Sequence, residues 1–483
     1  MIKCPNCGAG LEYEVKDELV SCKYCKSQFN PKELEVEAKT AEEIKNNNST
    51  FEGTSYLCSQ CGAELMTFDE TAITFCSYCG SQSMLKSRMI TQNAPEFIIP
   101  LKKTQDECIK IYNKKISRAL FAPSYMKKET IVKKFRGIYI PYVVYKLSFN
   151  DIFEADGEKY SHRSGDYVYY DEYTVSGHLD SYYEGISYDL ISNYYDKFSQ
   201  AIPHNFKENE KFNTNYLAGF YADAKDIDNN SYDDLSKLIV MIDSNSRIKS
   251  VKEYRKYNCK RMKIQYKIED RKTGMFPVYF LAIRDKSNKH VNYAVVNGQT
   301  GKVAIDLPID HIKYLIGSIL LAIPIFLFMN VSFVVIPKYL VIISIITSII
   351  SLIIVLFESH GVYIRDNHLD DLGYIREKLS EEDNSRIRSD ILNIDEIEKT
   401  LKRNKVKINS AKYLKYVIKP IIAIILGILV LALNFVYDIY YYGAAIGMFL
   451  LIVWSFIDII NCHNKLVSSK LPQLEKRGGD EDE

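Results

Sequence analysis

Two matched sets of four cysteines near the start of the chain constrain its fold more than any other feature. Each set reads C-x2-C, then fourteen residues, then C-x2-C, and the second set repeats the first at an offset of 54 residues. Eight of the eleven cysteines belong to these sets. The members are Cys4, Cys7, Cys22 and Cys25 in the first set, and Cys58, Cys61, Cys76 and Cys79 in the second.

The spacing within each set indicates a metal site of the zinc-ribbon type. A C-x2-C pair in a tight turn directs two thiolates at one point, and two such pairs complete the tetrahedron that Zn²⁺ prefers. Glycine follows three of the four pairs, as Gly8, Gly62 and Gly80, where a left-handed turn is easily taken. Alternating residues at 11–15 and 72–75 predict small strands between the pairs. We therefore expect two zinc ribbons and two Zn²⁺ ions per chain.

Regularly spaced cysteines in even number are also typical of a disulfide framework, which requires an oxidising compartment. The chain opens Met-Ile-Lys-Cys-Pro without an apolar signal segment. The membrane orientation argued below places the cysteines in the reducing cytosol. A redox-active C-x-x-C is disfavoured because no thioredoxin-like βαβ pattern surrounds the pairs. Metal binding is therefore the preferred interpretation.

Four apolar stretches in the last third of the chain predict four membrane-spanning helices in two hairpins. The stretches cover 314–336, 339–357, 417–436 and 442–460. Each is close to the roughly 20 residues that cross a bilayer core. The loop 358–416 contains twelve Lys or Arg, whereas the links inside the hairpins contain one and none. Because basic residues accumulate in cytosolic loops, we expect a multi-pass protein of the cell membrane with both termini in the cytosol.

The preceding 200 or so residues, 95–310, have the composition of a folded cytosolic domain. Apolar spacing predicts helices over 103–120 and 231–241. Gly137–Tyr145 reads as a strand that Pro141 breaks or places at an edge. Asn297-Gly298 between β-branched runs predicts a hairpin turn. We expect an α+β domain with an antiparallel sheet, and hence a multidomain α+β membrane protein.

The predicted organisation has eight segments. The loop between the hairpins is expected to form helices, either packed on the soluble domain or in a coiled-coil contact with a partner. The segments are zinc ribbon 1 at 1–31, a linker at 32–54, zinc ribbon 2 at 55–88, the α+β domain at 95–310, transmembrane hairpin 1 at 314–357, the cytosolic helical loop at 358–416, transmembrane hairpin 2 at 417–460 and a cytosolic tail at 461–483.

We find no catalytic arrangement in the soluble domain. No motif joins His162, His178 and His204, so we interpret them as surface residues. Gly298–Val303 is similar in composition to a phosphate-binding loop, but two residues separate its glycines where four are needed. A valine also stands where such a loop places the magnesium-binding Ser or Thr. The hairpin-turn interpretation is preferred, and we predict no enzymatic activity.

Three cysteines lie outside the two sets. Cys108 and Cys259 are isolated, which favours a place in the core over a nucleophilic role. Cys462 follows the last span and is a candidate for acylation. No span carries a central ionisable pair, which disfavours a pump or an ion pathway.

Charge separates the remaining function classes. The whole chain has a formal net charge of +1, and residues 1–90 have nine Lys or Arg against thirteen Asp or Glu, a net charge of −4. Nucleic-acid binding needs clustered cations, which this segment lacks. We therefore expect a non-enzymatic adaptor or scaffold that binds the lipid bilayer and protein partners. Membrane-tethered nucleic-acid binding is the alternative, and an enzyme or transporter regulated by the soluble domain is a third hypothesis.

Four short segments carry a resemblance to known proteins. They are Cys4-Pro5-Asn6-Cys7-Gly8, Phe121-Ala122-Pro123, Gly137-Ile138-Tyr139-Ile140-Pro141 and Asn297-Gly298-Gln299-Thr300-Gly301-Lys302-Val303. With these segments, the layout resembles a family of bacterial membrane proteins that contain zinc ribbons of the TFIIB type, over most of the chain to about residue 360. Some family members are labelled after a primosomal replication helicase, but the missing P-loop means that helicase activity is not carried over. The resemblance implies a membrane-attached zinc protein.

Overall fold

The structure, a computed structural model, has mixed α+β content. Among its described residues are two cysteine clusters, one large sheet and four long apolar helices. The predicted fold class is confirmed at this level. The described residues are 3–34, 50–68, 73, 75–82, 84–191, 194, 196–249, 256–258, 266–284, 290–332, 336–366 and 410–470.

A small antiparallel sheet contains the first cysteine set. Its strands are β1 (Leu11–Glu14), β2 (Leu19–Cys22) and β3 (Gln28–Phe29), in the order β1-β2-β3. Leu11 and Tyr13 alternate with more exposed neighbours and are buried, as the period of two along the sequence predicts.

The other described strands form one 13-stranded sheet. They are β4 (Thr50–Cys58), β5 (Glu64–Thr67), β6 (Met84–Asn93), β7 (Phe97–Ile98), β8 (Arg136–Ser164), β9 (Tyr167–Asp189), β10 (Glu210–Lys211), β11 (Tyr221–Asp223), β12 (Lys256–Asn258), β13 (Lys267–Arg284), β14 (His290–Asn297), β15 (Val303–Ile305) and β16 (Ser469–Lys470). The central order is β10-β7-β13-β8-β11-β5-β4-β6. Most pairings are antiparallel, but β11 with β8 and β7 with β13 are parallel, so the sheet is mixed.

The second cysteine module is built into this sheet. Strand β4 begins at Thr50, inside the segment expected to be a linker, and pairs with β5 and β6. Strand β5 in turn pairs with β11, more than 150 residues later in the chain. Ile73 and Phe75, expected in a strand, lie outside any strand. The boundaries of the eight segments predicted from the sequence stay predictions.

The predicted helices of the soluble part are confirmed. They are α1 (Gln105–Arg118) and α4 (Asp233–Lys249), with two short helices, α2 (Glu129–Val132) and α3 (Asp196–Ala201), between them. A capping box begins α1: the Thr104 hydroxyl accepts from the Glu107 backbone N–H, and the Glu107 carboxylate accepts from the Thr104 N–H.

Pro141 does not break its strand. Strand β8 runs through it, and Met275 of β13 lies opposite. The Pro141 carbonyl accepts from the Leu190 N–H at 2.9 Å. The N–H and C=O of one strand residue point to the same side, so the N–H that proline lacks would also have pointed toward Leu190. On that side the neighbour of β8 changes from β11, which ends opposite Tyr139, to β9, which ends opposite Tyr142. The missing donor therefore falls at a junction between two strands.

His204 is buried, so its interpretation as a surface residue was wrong. It is 8% exposed and packs against Phe276, with ring centroids 4.9 Å apart. Its Nε2 lies 3.1 Å from the Pro277 carbonyl, which can only accept, so Nε2 carries the proton of a neutral ring. Burial lowers the pKa of His204 from 6.5 to about 4. His162 and His178 are exposed, as predicted.

This burial predicts acid sensitivity. Between the two pKa values the unfolded chain binds a proton that the folded chain does not, so stability is complete above about pH 6.5 and is lost as the pH falls toward 4. The full loss is about 3 kcal/mol. We expect His204→Gln to flatten the pH profile of the unfolding free energy relative to the exposed control His178→Gln. Parallel profiles for the two variants, measured by denaturant titration, would refute this assignment.

The four apolar helices follow the soluble part. They are α5 (His311–Ser332), α6 (Pro337–Asp366), α7 (Ser410–Leu433) and α8 (Asp438–Val467). Helices α6, α7 and α8 pack on one another, with Val341, Ala423 and Met448 buried at their centre. None of the apolar window of α5 is buried, whereas a third of that of α8 is. Among the described residues, the packed unit is therefore α6, α7 and α8, and the arrangement in two hairpins stays a prediction.

The end of α8 joins the helices to the sheet. The Asn464 side chain exchanges two hydrogen bonds with the backbone of Ile309, at 2.7 and 2.9 Å. Strand β16 directly follows α8 and pairs with β14. Asn292 on β14 donates to the Ser468 hydroxyl at 2.9 Å. The soluble part and the apolar helices are therefore held in fixed contact.

An ion pair that was not predicted from the sequence joins two of the apolar helices. Lys419 on α7 pairs with Asp458 on α8, and their side chains are 18% and 12% exposed. The two residues are far apart in sequence, and each lies near one end of its predicted span. Other expectations, for the helical loop around Ile387 and Leu401, the acidic tail and Cys259, lie outside the described residues.

Candidate metal centres

The structure brings together the two cysteine sets that the sequence predicts. Within each set, all four sulfur atoms lie within 4.8 Å of one another. The Sγ atoms of Cys4 and Cys25, and of Cys7 and Cys22, are 3.5 Å apart. The equivalent distances in the second set are 3.6 Å between Cys58 and Cys79, and 3.5 Å between Cys61 and Cys76.

These distances fit a metal tetrahedron and exclude disulfide bonds within the sets. Four sulfurs at about 2.3 Å from one zinc ion are about 3.8 Å apart, whereas bonded sulfurs are about 2.0 Å apart. All eight cysteines are unpaired thiols in the structure. Each cluster can therefore hold one metal ion with four thiolate ligands.

All four C-x2-C pairs fold into the same turn. In each, the backbone N–H of the residue after the second cysteine donates to the carbonyl of the first, at 2.8–2.9 Å. That residue has a positive φ in every pair, including the one without glycine. The residues and their φ values are Gly8 (74°), Lys26 (61°), Gly62 (70°) and Gly80 (66°). The turn thus imposes a left-handed conformation even on a lysine, at a cost of roughly 1 kcal/mol.

The first cluster lies at the surface. Cys4 and Cys22 are buried, but Cys7 and Cys25 are exposed. Hydrogen bonding by Ser27, whose Oγ is 3.2 Å from the Cys25 sulfur, lowers the pKa of Cys25 to about 6. A thiolate is the form that binds metal, so Ser27 favours the metal-binding form of Cys25.

The first module packs on the segment that precedes β11. The Tyr13 N–H donates to the Ala218 carbonyl at 3.0 Å, and its ring lies 5.4 Å from that of Tyr216. The buried Asn215 side chain donates to the carbonyls of Pro31 and Leu34, both at 3.0 Å. These contacts come from one turn at residues 213–218, and they argue against the two modules moving independently.

The second cluster is sealed inside the large sheet. All four of its cysteines are buried. Arg284 at the end of β13 donates to the Cys79 carbonyl at 2.6 Å and to the Gln60 side chain at 2.7 Å, so it holds both turns of the cluster. The Tyr78 hydroxyl donates to the buried carboxylate of Asp223 on β11. Metal at this cluster would fix strands that are distant in sequence.

Sequence reasoning missed these supporting residues. Arg284, Asn215 and Asp223 lie more than 120 residues from the cysteines whose modules they hold, and no local pattern marks them. The two other described cysteines are both buried. Cys108 is buried in α1, and burial raises the pKa of its thiol to about 12, which makes it unreactive. Cys462 is 1% exposed, which argues against acylation.

The glycine-rich segment after β14 is a turn, as predicted. Strands β14 and β15 pair in antiparallel fashion around it. The Asn297 side chain accepts from the backbone N–H groups of Gln299 and Thr300, both at 2.8 Å, and donates to the carbonyl of Ile202. The N–H groups that a phosphate would need are therefore used within the turn.

One curated relative is similar to the chain. It is a protein of Bacillus subtilis (strain 168) described as the uncharacterized protein YdjG, 26% identical over 320 residues. The match covers 64% of this chain and 91% of that protein. No family model matches the chain, and no solved structure matches it.

Proposed function

We propose that this chain is a membrane-anchored zinc protein that binds protein partners at the cytosolic face and acts as a non-enzymatic adaptor. The observation that carries the proposal is an acidic β-ribbon, formed by β8 and β9 beyond residue 150, which extends from the metal-bearing sheet. Membership of the bacterial zinc-ribbon membrane protein family is part of the proposal, because cysteine clusters and long apolar helices occur together in one chain.

The exposed surface of the apolar helices supports membrane anchoring. At most a third of each apolar window is buried inside the isolated chain, and none of the window of α5 is. Exposed apolar surface of this extent is costly in water, whereas a bilayer covers it and the helices satisfy their own backbone groups. The charge of the loop 358–416 supports an orientation with both termini in the cytosol.

The donor sets support zinc as the metal. Four thiolates in a closed tetrahedral arrangement are typical of structural zinc, which has no geometric preference of its own. A closed set also leaves no position for water or substrate, so these residues would supply folding energy and no Lewis acid chemistry.

The ribbon offers an edge for pairing. Over the described residues, β9 pairs with β8 and with no other strand. Large apolar side chains project along it: Tyr167, Tyr173 and Tyr182 are 74%, 45% and 59% exposed. An extended peptide can add to such an edge through backbone hydrogen bonds, while aromatic side chains contact its alternate residues.

The charge of the edge supports a basic class of partner. Strand β9 has no Lys or Arg, and three exposed acidic residues, Asp171, Glu172 and Asp180, lie in its part of the ribbon. This favours an extended segment rich in Lys or Arg, and it repels both a second copy of the strand and the phosphates of nucleic acid. The partner is therefore a protein with a basic extended segment, and the nucleic-acid alternative loses support.

The test uses the purified full-length protein and two synthetic peptides. One alternates Lys with Val, and the other replaces every Lys with Glu. We expect salt-sensitive binding of the Lys peptide, measured by fluorescence anisotropy. Asp171→Lys with Glu172→Lys should weaken it by about tenfold or more, because both charges lie on the edge strand. Asp106→Lys, on the exposed side of α1, is the matched control and should leave binding unchanged.

Two results would contradict the proposed partner class. Equal binding of the Lys and Glu peptides would remove the role of charge. Retention of a single-stranded DNA oligonucleotide by the wild-type protein, unchanged in the Asp171→Lys/Glu172→Lys variant, would favour the nucleic-acid hypothesis. A photocrosslinker in place of Tyr173, compared with one in place of Lys114 on α1, then identifies the native partner in membranes.

A further inference from the structure

The two cysteine clusters differ in how open they are to solvent. Tyr24 and Tyr78 occupy the same position in the two sets, since 54 residues separate them, and they are 82% and 1% exposed. Cys7 and Cys25 of the first cluster are exposed, whereas all four cysteines of the second are buried. A dissolved small molecule can therefore reach the first cluster more readily than the second.

Contacts with the large sheet close the second cluster. The Tyr78 ring lies 5.2 Å from the ring of Phe280 on β13. Arg284, on the same strand, donates to a carbonyl in the turn of Tyr78 at 2.6 Å. The equivalent turns of the first cluster, at 5–8 and 23–26, are exposed throughout. The difference between the clusters therefore comes from the fold around them, since their cysteine spacing is identical.

Each exposed cysteine of the first cluster has a buried cysteine beside it. The Cys25 and Cys4 Sγ atoms are 3.5 Å apart, and so are those of Cys7 and Cys22. Bonded sulfurs are about 2.0 Å apart, so a movement of about 1.5 Å brings either pair to bonding distance. An oxidised cysteine at the surface thus has a second thiol within reach to form a disulfide.

Ser27 distinguishes Cys25 from Cys7. Its Oγ lies 3.2 Å from the Cys25 sulfur and accepts from the Asn6 side-chain amide at 2.8 Å. The Asn6 amide occupies an acceptor position of the hydroxyl, so the Ser27 proton is available on the side of the sulfur. A hydroxyl in this place can donate to an oxygen atom that reacts at Cys25. Cys25 is therefore the better candidate for the first reaction with an oxidant.

We propose that the first cluster is a site of oxidation by hydrogen peroxide, at which Cys25 and Cys4 form a disulfide while the second cluster stays reduced. The Cys25 thiolate attacks one peroxide oxygen, the O–O bond breaks, and a sulfenic acid and a hydroxide ion form. The Cys4 thiolate then attacks the sulfenic sulfur, which forms the S–S bond and releases a second hydroxide ion. The two thiolates lose two electrons in total, and one molecule of peroxide gains them.

The disulfide leaves Cys7 and Cys22 as the remaining thiolate ligands of the first cluster. Two thiolates do not complete the tetrahedral site, so the first module loses its zinc and the folding energy that the ion supplies. The second cluster keeps its four ligands, and the large sheet stays folded. The inference rests on the zinc binding proposed above, and it adds that the two sites respond differently to an oxidant.

The test adds hydrogen peroxide to the zinc-loaded full-length protein in detergent, after the reductant has been removed. We expect the release of one zinc ion per chain, followed with a chromogenic chelator, and a disulfide between Cys4 and Cys25 in mass-spectrometric mapping. Cys25→His keeps a set of donors that binds zinc but has no thiol at this position. Its zinc release should be slower by about tenfold or more, because the thiolate is the group that reacts. Cys108→Ser removes a buried cysteine that is no ligand and should release zinc at the wild-type rate.

Each outcome decides a separate point. Loss of both zinc ions at equal rates, or of the second cluster's ion first, would overturn the difference between the clusters. Zinc release from Cys25→His at the wild-type rate, or mapping that finds no disulfide between Cys4 and Cys25, would overturn the assignment of the reacting pair. Protein that retains both ions in peroxide would remove this proposal and leave the zinc binding intact. Protein purified without zinc would contradict the zinc binding itself.

Discussion

Replacing Cys58 with serine is expected to unfold the part of the large sheet that contains β4, β5 and β11, whereas Cys7→Ser leaves that sheet folded. Cys58 is buried at the end of β4, and β5 joins β4 to β11. Structural zinc contributes about 10–16 kcal/mol to the folding of isolated zinc-finger peptides, as much as the whole stability of a typical domain. Cys7 is exposed in a separate small sheet, so its loss should be local.

Hydrogen exchange measured by mass spectrometry separates these outcomes. Cys58→Ser should remove the protection of β4, β5 and β11, and Cys7→Ser should affect β1 to β3 alone. Cys108→Ser is the matched control, because Cys108 is equally buried but is no ligand. If Cys58→Ser cost no more protection than Cys108→Ser, the second cluster would have no structural role.

Replacing Asp458 with alanine is expected to loosen the packing of α7 on α8 by about 3–5 kcal/mol. The change leaves Lys419 without its counter-ion at an 18% exposed position, and an uncompensated charge in that setting is costly. Asp438→Ala, in the first turn of α8, removes an acidic residue without breaking this pair and should have a small effect.

A double-mutant cycle in nanodiscs or detergent checks the coupling. Lys419→Met with Asp458→Leu should recover most of the stability that either single change removes, because an apolar pair needs no counter-ion. Additive losses, measured by denaturing detergent titration, would show that the two side chains do not stabilise each other.

Local sequence patterns predicted much of the architecture. The cysteine spacing located both clusters, because a C-x2-C turn depends on a few adjacent residues. The apolar stretches located the four long helices, and the apolar spacing within 103–120 located α1. The Asn297-Gly298 turn was also predicted from the sequence, because it depends only on the Asn297 side chain and on the pairing of the adjacent strands β14 and β15.

Long-range pairings could not be read in the same way. The three residues of β11 join the second cysteine module to the sheet. No local sequence pattern predicts that β11 pairs with β5. His204 has a polar sequence context, and only the packing of Phe276 over it makes it a buried neutral ring. The β8–β9 ribbon turns at Gly165, which has φ of 59°, and the sequence analysis did not predict this pairing.

The Lys419–Asp458 pair illustrates a different limit. Each residue is visible in the sequence as a charge near the end of an apolar stretch, where a lysine commonly reaches the interface alone. Their partnership depends on α7 and α8 packing side by side in one register.

Metal analysis of the full-length protein, extracted from membranes and purified under reducing conditions, tests the central claim most directly. The two cysteine clusters predict two zinc ions per chain in the wild-type protein. Cys7→Ser should reduce the zinc bound by the first cluster while the second keeps its ion. A wild-type protein recovered from the membrane fraction with no bound zinc, or with its clustered cysteines joined in disulfides, would contradict the account.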